Sequence, residues 1–185
     1  MGDDFEVLKD ITVDVDVVKK KLQALRPDKA AGPDSIPPKL LRELSEELCH
    51  PLSVIFQKSL DEGVPDDWKL ANVCPMYRKG SRAHTSNYRP VSLTSQVCKV
   101  LESIIRTAVV SHLEKHNLIK DSQHGFRRGR SCLTNLLEFL DKVTRSVDAG
   151  NNMDILYLDF AKAFDKVPHY RLIKNSKHTA LEGRY

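Results

Sequence analysis

The chain has 185 residues, with a hydrophobic share of 41% and a charged share of 29%, ordinary figures for a folded protein in water. No stretch approaches the roughly 18 apolar residues of a membrane span. The start, MGDDFEVLKD, lacks an apolar signal core and places Glu6 where a myristoylation signal wants Ser or Thr, so an intracellular protein, nuclear or cytoplasmic, is expected. Net charge is +4 but unevenly spread: residues 1–75 hold 10 basic against 15 acidic side chains, residues 76–130 hold 11 against 3, and residues 131–185 hold 8 against 7. A concentrated basic middle third suggests a polyanionic partner, with a merely solvated surface as the alternative.

Residues 14–25 carry Val18, Leu22 and Leu25 at helical spacing, with Asp14 placed to cap. A Gly/Pro/Asp loop, RPDKAAGPDSI, occupies 26–36. Pro37 and Pro38 open a second helix with Leu40, Leu41, Leu44 and Leu48 on one face, and a third is expected from about Pro51 to Glu62, stopped by Gly63. Residues 70–77 read as a strand, and Pro75 argues that it lies at an edge or a bulge. The polar, basic loop RKGSRAHTSNYRP leads to a short VSL strand. The longest amphipathic helix is expected over 95–116, built on Val97, Leu101, Ile104, Ile105, Ala108, Val109 and Leu113. A second basic loop spans 117–131. Ser131 then caps a helix with Leu133, Leu136, Leu137, Leu140, Val143 and Val147, ended by Gly150. These apolar stripes are core-forming faces. A last hydrophobic strand is expected at 153–160.

Cys49, Cys74, Cys98 and Cys132 are scattered without a C-x-x-C pair, and His112 and His116 have i,i+4 spacing without an HExxH pattern, so reduced, partly buried thiols are expected rather than a zinc site. The stretch DILYLDFAKAFDKVPH, 154–169, is more informative. A hydrophobic strand delivers one carboxylate, Asp159, at its end, and a helix-forming turn with Phe164 and Asp165 follows. A desolvated carboxylate must be paired or coordinate a metal, and nucleotidyl transfer uses such strand-end acids to hold Mg²⁺. The alternative is that Asp159 caps a helix beginning at Ala161. Lys79 and Arg89 flank a loop between two short strands, suited to a triphosphate or a phosphate backbone. Gln123, Gly125, Phe126, Arg127, Arg128, Gly129 and Arg130 interleave glycines, an aromatic and arginines, a mix suited to backbone contacts and stacking on nucleic acid. Either loop alone is equally compatible with a solvated surface.

Five blocks in order change that balance: KAAGPDSIPPKLL (29–41), GVPDDWKLANVCPMYRKGS (63–81), NYRPVSLTS (87–95), QHGFRRGRSC (123–132) and DILYLDFAKAFDKVPH (154–169). Together they resemble the reverse transcriptase of non-LTR retrotransposons of the LINE/jockey kind, over about residues 15–174. The resemblance implies that Asp159 is the first catalytic aspartate, a ligand to two Mg²⁺ ions, with the Phe160 backbone carbonyl assisting. It implies that Phe164 packs under the incoming sugar and selects deoxynucleotides, and that Lys79 and Arg89 grip the dNTP triphosphate. Gln123, Arg127, Arg128 and Arg130 would lie along RNA template and DNA primer. Asp165 would be a hydrogen-bonding support rather than a metal ligand. The 29–41 block would be an amino-terminal fingers extension.

The implied fold is α/β (α+β) and predominantly helical, the fingers and first part of the palm of a right-hand polymerase. Its expected divisions are an N-terminal tail at 1–13, fingers over 14–152, the start of the palm over 153–174, and a divergent tail, NSKHTALEGRY, over 175–185. The chain contains no Tyr-x-Asp-Asp hairpin, which supplies two further aspartates in the family, and Asp66–Asp67 after Pro65 precedes the catalytic strand and cannot substitute. A truncated fragment, inactive by itself, is therefore expected, with a non-catalytic nucleic-acid-binding remnant as the alternative. A third possibility is an inert remnant whose 153–160 strand is an unpaired apolar edge. The sequence is silent on oligomeric state.

Overall fold

A computed structural model of the chain describes residues 8, 10–160, 163 and 166–178. They form two compact units, one of the residues up to His112 and the other from Leu113 onward. The described residues are mostly helical, with one two-stranded antiparallel sheet.

In the first unit, Asp14 caps helix α1 (Val15–Gln23): its carboxylate accepts from the amides of Asp16 and Val17, satisfying two donors that the first turn leaves open. Helix α2 (Pro38–Glu43) has proline at its first position, where no N–H is needed. It is shorter than its leucine spacing suggests. Leu44 leaves the helical conformation, and Leu40 and Leu44 are exposed while Leu41 is buried.

Helix α3 runs from Ser45 to Glu62 with Pro51 inside it, so the expected start near Pro51 is wrong by a turn and a half. An internal proline removes one helical hydrogen bond and costs about 3 kcal/mol. The helix continues because Cys49, Leu52, Phe56 and Leu60 form one buried face spanning that proline. Two serines on the buried side, Ser53 and Ser59, return their hydroxyls to the carbonyls of His50 and Ile55. Gly63, at φ 116°, ends the helix as expected.

The core joins Val18 and Leu22 of α1, the buried face of α3, and Val97, Val100, Leu101 and Ile104 of helix α4 (Gln96–Lys115), with Ile11, Val13 and Leu41 added. Polar ties cross the same interfaces. Val13 N–H donates to Gln57 Oε1 at 3.0 Å, Lys21 Nζ reaches Ser103 Oγ at 2.7 Å, and Lys19 pairs with Glu46 at 2.7 Å. Cys49 and Cys98 are buried, Cys74 and Cys132 exposed, and all four are free; burial, then Glu102, pushes the Cys98 thiol up to about 11.

The 26–36 loop packs tightly against the root of α4. Gln96, itself buried, donates through Nε2 to the Ala30 carbonyl at 2.6 Å. A Cβ added at Gly32 would stand 2.6 Å from Ser95 N and from the carbonyl carbon and oxygen of Thr94. Only a residue without a side chain permits that approach.

Strands β1 (Ala71–Tyr77) and β2 (Tyr88–Thr94) pair from Ala71↔Thr94 to Tyr77↔Tyr88. β2 is longer than the expected VSL and takes Tyr88, Arg89 and Pro90 out of the loop. Pro75 faces Pro90. Arg78 N–H donates to Asn87 O at 2.9 Å just beyond the Tyr77–Tyr88 pair. Because bonded and non-bonded pairs alternate along an antiparallel ladder, the two prolines meet where no hydrogen bond is exchanged. That is how two prolines fit one ladder.

In the second unit, helix α5 (Cys132–Asp148) starts with a capping box: Ser131 Oγ accepts from Thr134 N–H, and Thr134 Oγ1 accepts from Ser131 N–H. Its apolar stripe is not a core face among the described residues, since Leu133, Leu136, Leu137, Leu140 and Val147 are all exposed. The strand expected at 153–160 is also absent. Residues 151–160 have no regular structure and are exposed, Leu156 at 81% and Phe160 at 79%. A strand exists only where a neighbour accepts its ladder, and the described sheet contains β1 and β2 alone. In this segment the Tyr157 ring lies against that of Phe139, at 5.9 Å between centroids. Helix α6 (His169–His178) continues through Lys174, where family likeness was expected to fade.

Candidate nucleic-acid interface

Lys79 and Arg89 lie in the first unit, on the β1–β2 hairpin. Arg89 pairs with Met76 and so projects from the sheet face opposite to Tyr77, Tyr88, Pro75 and Pro90. Of these, Pro75, Tyr88 and Pro90, with Val73 and Thr85, line a shallow groove of about 480 Å³. The hairpin tip is braced internally. Tyr77 Oη donates to the Gly80 carbonyl, Tyr88 Oη donates to the Arg82 carbonyl at 2.9 Å, and Asn87 Nδ2 donates to the Ser81 carbonyl at 2.7 Å. The Arg82 guanidinium stands 5.1 Å from the Tyr77 ring centroid. Gly80, at φ 91°, lies against the Asn87 amide, so a side chain there meets both strain and a neighbour. Lys79 and Arg89 are exposed and pair with no described acid, which leaves both cations available to an anion.

The 117–131 loop belongs to the second unit, and its four expected contacts differ in what they do. Gln123 Nε2 donates to the nearby Gly125 carbonyl at 3.3 Å. Arg127 turns back into its own loop: Nη1 donates to the Lys120 carbonyl at 3.1 Å and stands 3.7 Å from Asp121. There it lines a polar cavity of about 220 Å³ with Glu114 and Asn117. Arg130 stands 4.0 Å from Glu138. Arg128 is exposed and paired with no described acid. Phe126 is 79% exposed at φ 62°, a backbone region uncommon for a bulky residue.

A residue that no local pattern marks holds this loop. His124 is buried, with Nδ1 2.9 Å from Thr134 Oγ1 and Nε2 2.7 Å from Glu138 Oε2. Thr134 and Glu138 are i,i+4 on α5, a spacing visible in sequence, but nothing local says that His124 reaches them. Lys142 bonds Glu138 Oε1 at 2.6 Å. Lys142 first and His124 second hold the Glu138 carboxyl down at about 2, from an ordinary 4.5. A depressed carboxyl contributes stability fully present above its unfolded value and lost as pH falls through the folded one. Amide protection at Thr134 and its neighbours should therefore be constant above about pH 4.5 and decline from there towards pH 2. Glu138→Gln should flatten that decline in hydrogen exchange; an unchanged profile would mean that other carboxylates govern it.

Asp159 and Phe160 are exposed in the irregular 151–160 segment, so Asp159 does not stand at a strand end. Phe164, Asp165 and the turn from Ala161 lie outside the described residues, as do residues 179–185 of the expected tail. Among the described residues no three His, Cys, Asp or Glu side chains gather to hold a metal ion. One exposed carboxylate does not fit a two-ion centre. Nor is any helix among them long and apolar enough to cross a membrane.

Residues 77–184 match the family model described as reverse transcriptase (RNA-dependent DNA polymerase). The chain belongs to the reverse transcriptase family. The matched region takes in the hairpin tip, β2, both basic loops and Asp159. The chain is 28% identical over 154 residues to the probable RNA-directed DNA polymerase from transposon X-element of Drosophila melanogaster, covering 82% of the chain and 17% of that relative. It is 26% identical over 167 residues to the RNA-directed DNA polymerase from mobile element jockey of the same fly, covering 89% of the chain and 18% of the relative. It is also 26% identical over 119 residues, 64% of the chain and 16% of the relative, to the Pol polyprotein from the type-1 retrotransposable element R2 of Popillia japonica. The chain thus spans less than a fifth of the length of each of these relatives.

Proposed function

We propose that this chain is the amino-terminal part of an RNA-directed DNA polymerase domain and handles the template, the primer and the incoming nucleotide. The observation that carries this reading is the display of exposed cations that pair with no described acid, Lys79 and Arg89 on the hairpin and Arg128 on the second loop, within the family match. In this reading residues 14–152 are the fingers and 153–174 begin the palm. Lys79 and Arg89 contact the dNTP triphosphate, and Phe164 contacts its sugar. Gln123, Arg127, Arg128 and Arg130 follow the RNA template and DNA primer. In the complete polymerase the primer 3′-hydroxyl attacks the dNTP α-phosphate, one ester bond forms, and pyrophosphate leaves. With the carboxylates that the complete polymerase would add, Asp159, the Phe160 carbonyl and, as support, Asp165 would help to hold Mg²⁺, which would neutralise charge on the phosphates. The described residues hold no such centre by themselves, so the chain's own contribution rests on its cations.

Joined to the downstream polymerase segment of the jockey relative, the chain should extend a DNA primer on an RNA template. Losing a supporting residue around a metal costs about 10–100-fold, so losing the ligand itself in Asp159→Asn should cost at least about 100-fold. Undiminished extension by that variant would remove Asp159 from the reaction. A second reading, nucleic-acid binding without synthesis, is favoured by the contrast between the cations, held on braced loops, and Asp159, on an exposed irregular segment. Salt-dependent binding by the chain with no extension in any joined form would select it.

A further inference from the structure

We propose that His124 is a positioning residue for nucleic-acid binding, a clamp that sets where the loop carrying Phe126 and Arg128 stands against α5. This rests on the reading of that loop as a nucleic-acid contact. The ring is buried and held at both nitrogens, by Thr134 Oγ1 at 2.9 Å and Glu138 Oε2 at 2.7 Å. Glu138 is ionised, and a carboxylate only accepts, so Nε2 carries the proton and donates. Its other neighbours are Lys142, at 2.6 Å, and Arg130, at 4.0 Å, so one carboxylate gathers three basic groups, two from the loop and one from the helix. The Thr134 hydroxyl is also part of the capping box that begins α5. The clamp therefore joins the loop to the start of a helix rather than to a mobile side chain.

Between His124 and Arg130 the backbone turns sharply, with Phe126 at φ 62° and Gly129 at φ 73°. Gly129 adopts this conformation freely, whereas Phe126 keeps it only because its surroundings hold the backbone there. Arg127 closes the loop on one side through Lys120 and Asp121, and His124 fixes it to the helix on the other. Arg128, next in the chain after the Arg127 anchor, is exposed and paired with no described acid. A charge on a fixed loop meets a phosphate without the ordering cost that a free loop incurs. His124 is itself too buried to touch nucleic acid, so any effect it has on binding acts through the loop.

The full chain is titrated against an RNA–DNA hybrid by fluorescence anisotropy at several salt concentrations, as wild type, His124→Ala, Arg128→Ala and the double variant. One phosphate contact is worth about 0.9 in the slope of log affinity against log salt. Arg128→Ala should lower the slope by about that amount. His124→Ala should do the same while helical circular dichroism is retained, and adding it to Arg128→Ala should change nothing further. A wild-type slope in His124→Ala, or losses that add in the double variant, would overturn the inference while leaving the loop's role intact. A wild-type slope in Arg128→Ala would instead overturn the loop's role, and the inference with it. Should His124→Ala lose helical signal, His124→Asn, which keeps the Thr134 contact but falls short of Glu138, is judged by the same slopes.

Discussion

Phe56→Ala is expected to destabilise the first unit by about 4 kcal/mol, within the range for removing a buried aromatic from a packed core. Phe56 has no exposed surface and lies at the centre of the cluster joining α1, α3 and α4. Its ring meets that of Trp68 edge to face, with centroids 5.8 Å apart and planes at 67°. Truncation leaves a void walled by three helices that resist collapse, α1 being tied to α3 by the Lys19–Glu46 ion pair and to α4 by the Lys21–Ser103 hydrogen bond. Trp68 is the chain's single tryptophan, and its fluorescence in a denaturant titration of the full chain reports this unit selectively. Val54→Ala and Ile55→Ala, on the exposed side of the same helix, are the controls and should each cost less than about 0.5 kcal/mol. Equal losses for Phe56 and Ile55 would mean that this core does not carry the unit's stability.

Gly32→Ala should cost about 3 kcal/mol, at the upper end for forcing atoms into occupied space. The new Cβ would sit 2.6 Å from three backbone atoms of Thr94 and Ser95, none of which can rotate away. Thr94 ends β2 and Ser95 precedes α4, so relief requires the loop to lift and lose the Gln96–Ala30 hydrogen bond. The same Trp68 titration measures the loss, and a Gln96→Ala variant tests its route. Once Gly32→Ala has lifted the loop, Gln96→Ala should add little. A Gly32→Ala variant as stable as wild type would show that the close approach is not required.

The GPD stretch of the 29–41 block thus has a structural explanation that its resemblance to a fingers extension does not exclude. Its glycine is required by contact, not by backbone angle, and no local pattern distinguishes those two demands. The Ser131 cap, the Asp14 cap and the Gly63 stop were legible because each acts within four residues of itself. The α3 start was not, since the cost of Pro51 is outweighed only by a buried face that the fold assembles.

The functional residues divide in the same way. Lys79, Arg89 and Arg128 were legible as exposed cations in basic loops, and the structure leaves them unpaired with any described acid. Arg127 reads identically in sequence but bonds its own loop, because a neighbouring carbonyl and Asp121 come within reach only once the loop is closed. The role of His124 is not legible in sequence, because its partners lie 10 and 14 residues away on a helix.

By itself the sequence determined the family, through five ordered blocks, along with the helical periods, the caps and the basic character of the middle third. Each of these is a matter of residue type and short spacing. Only the tertiary structure decided which apolar faces are covered: the α1, α3 and α4 stripes are buried, whereas the equally periodic α5 stripe and the apolar 151–160 segment are exposed. Hydrophobic periodicity states that a face favours burial, but burial takes a second surface, and ladder pairing takes a second strand.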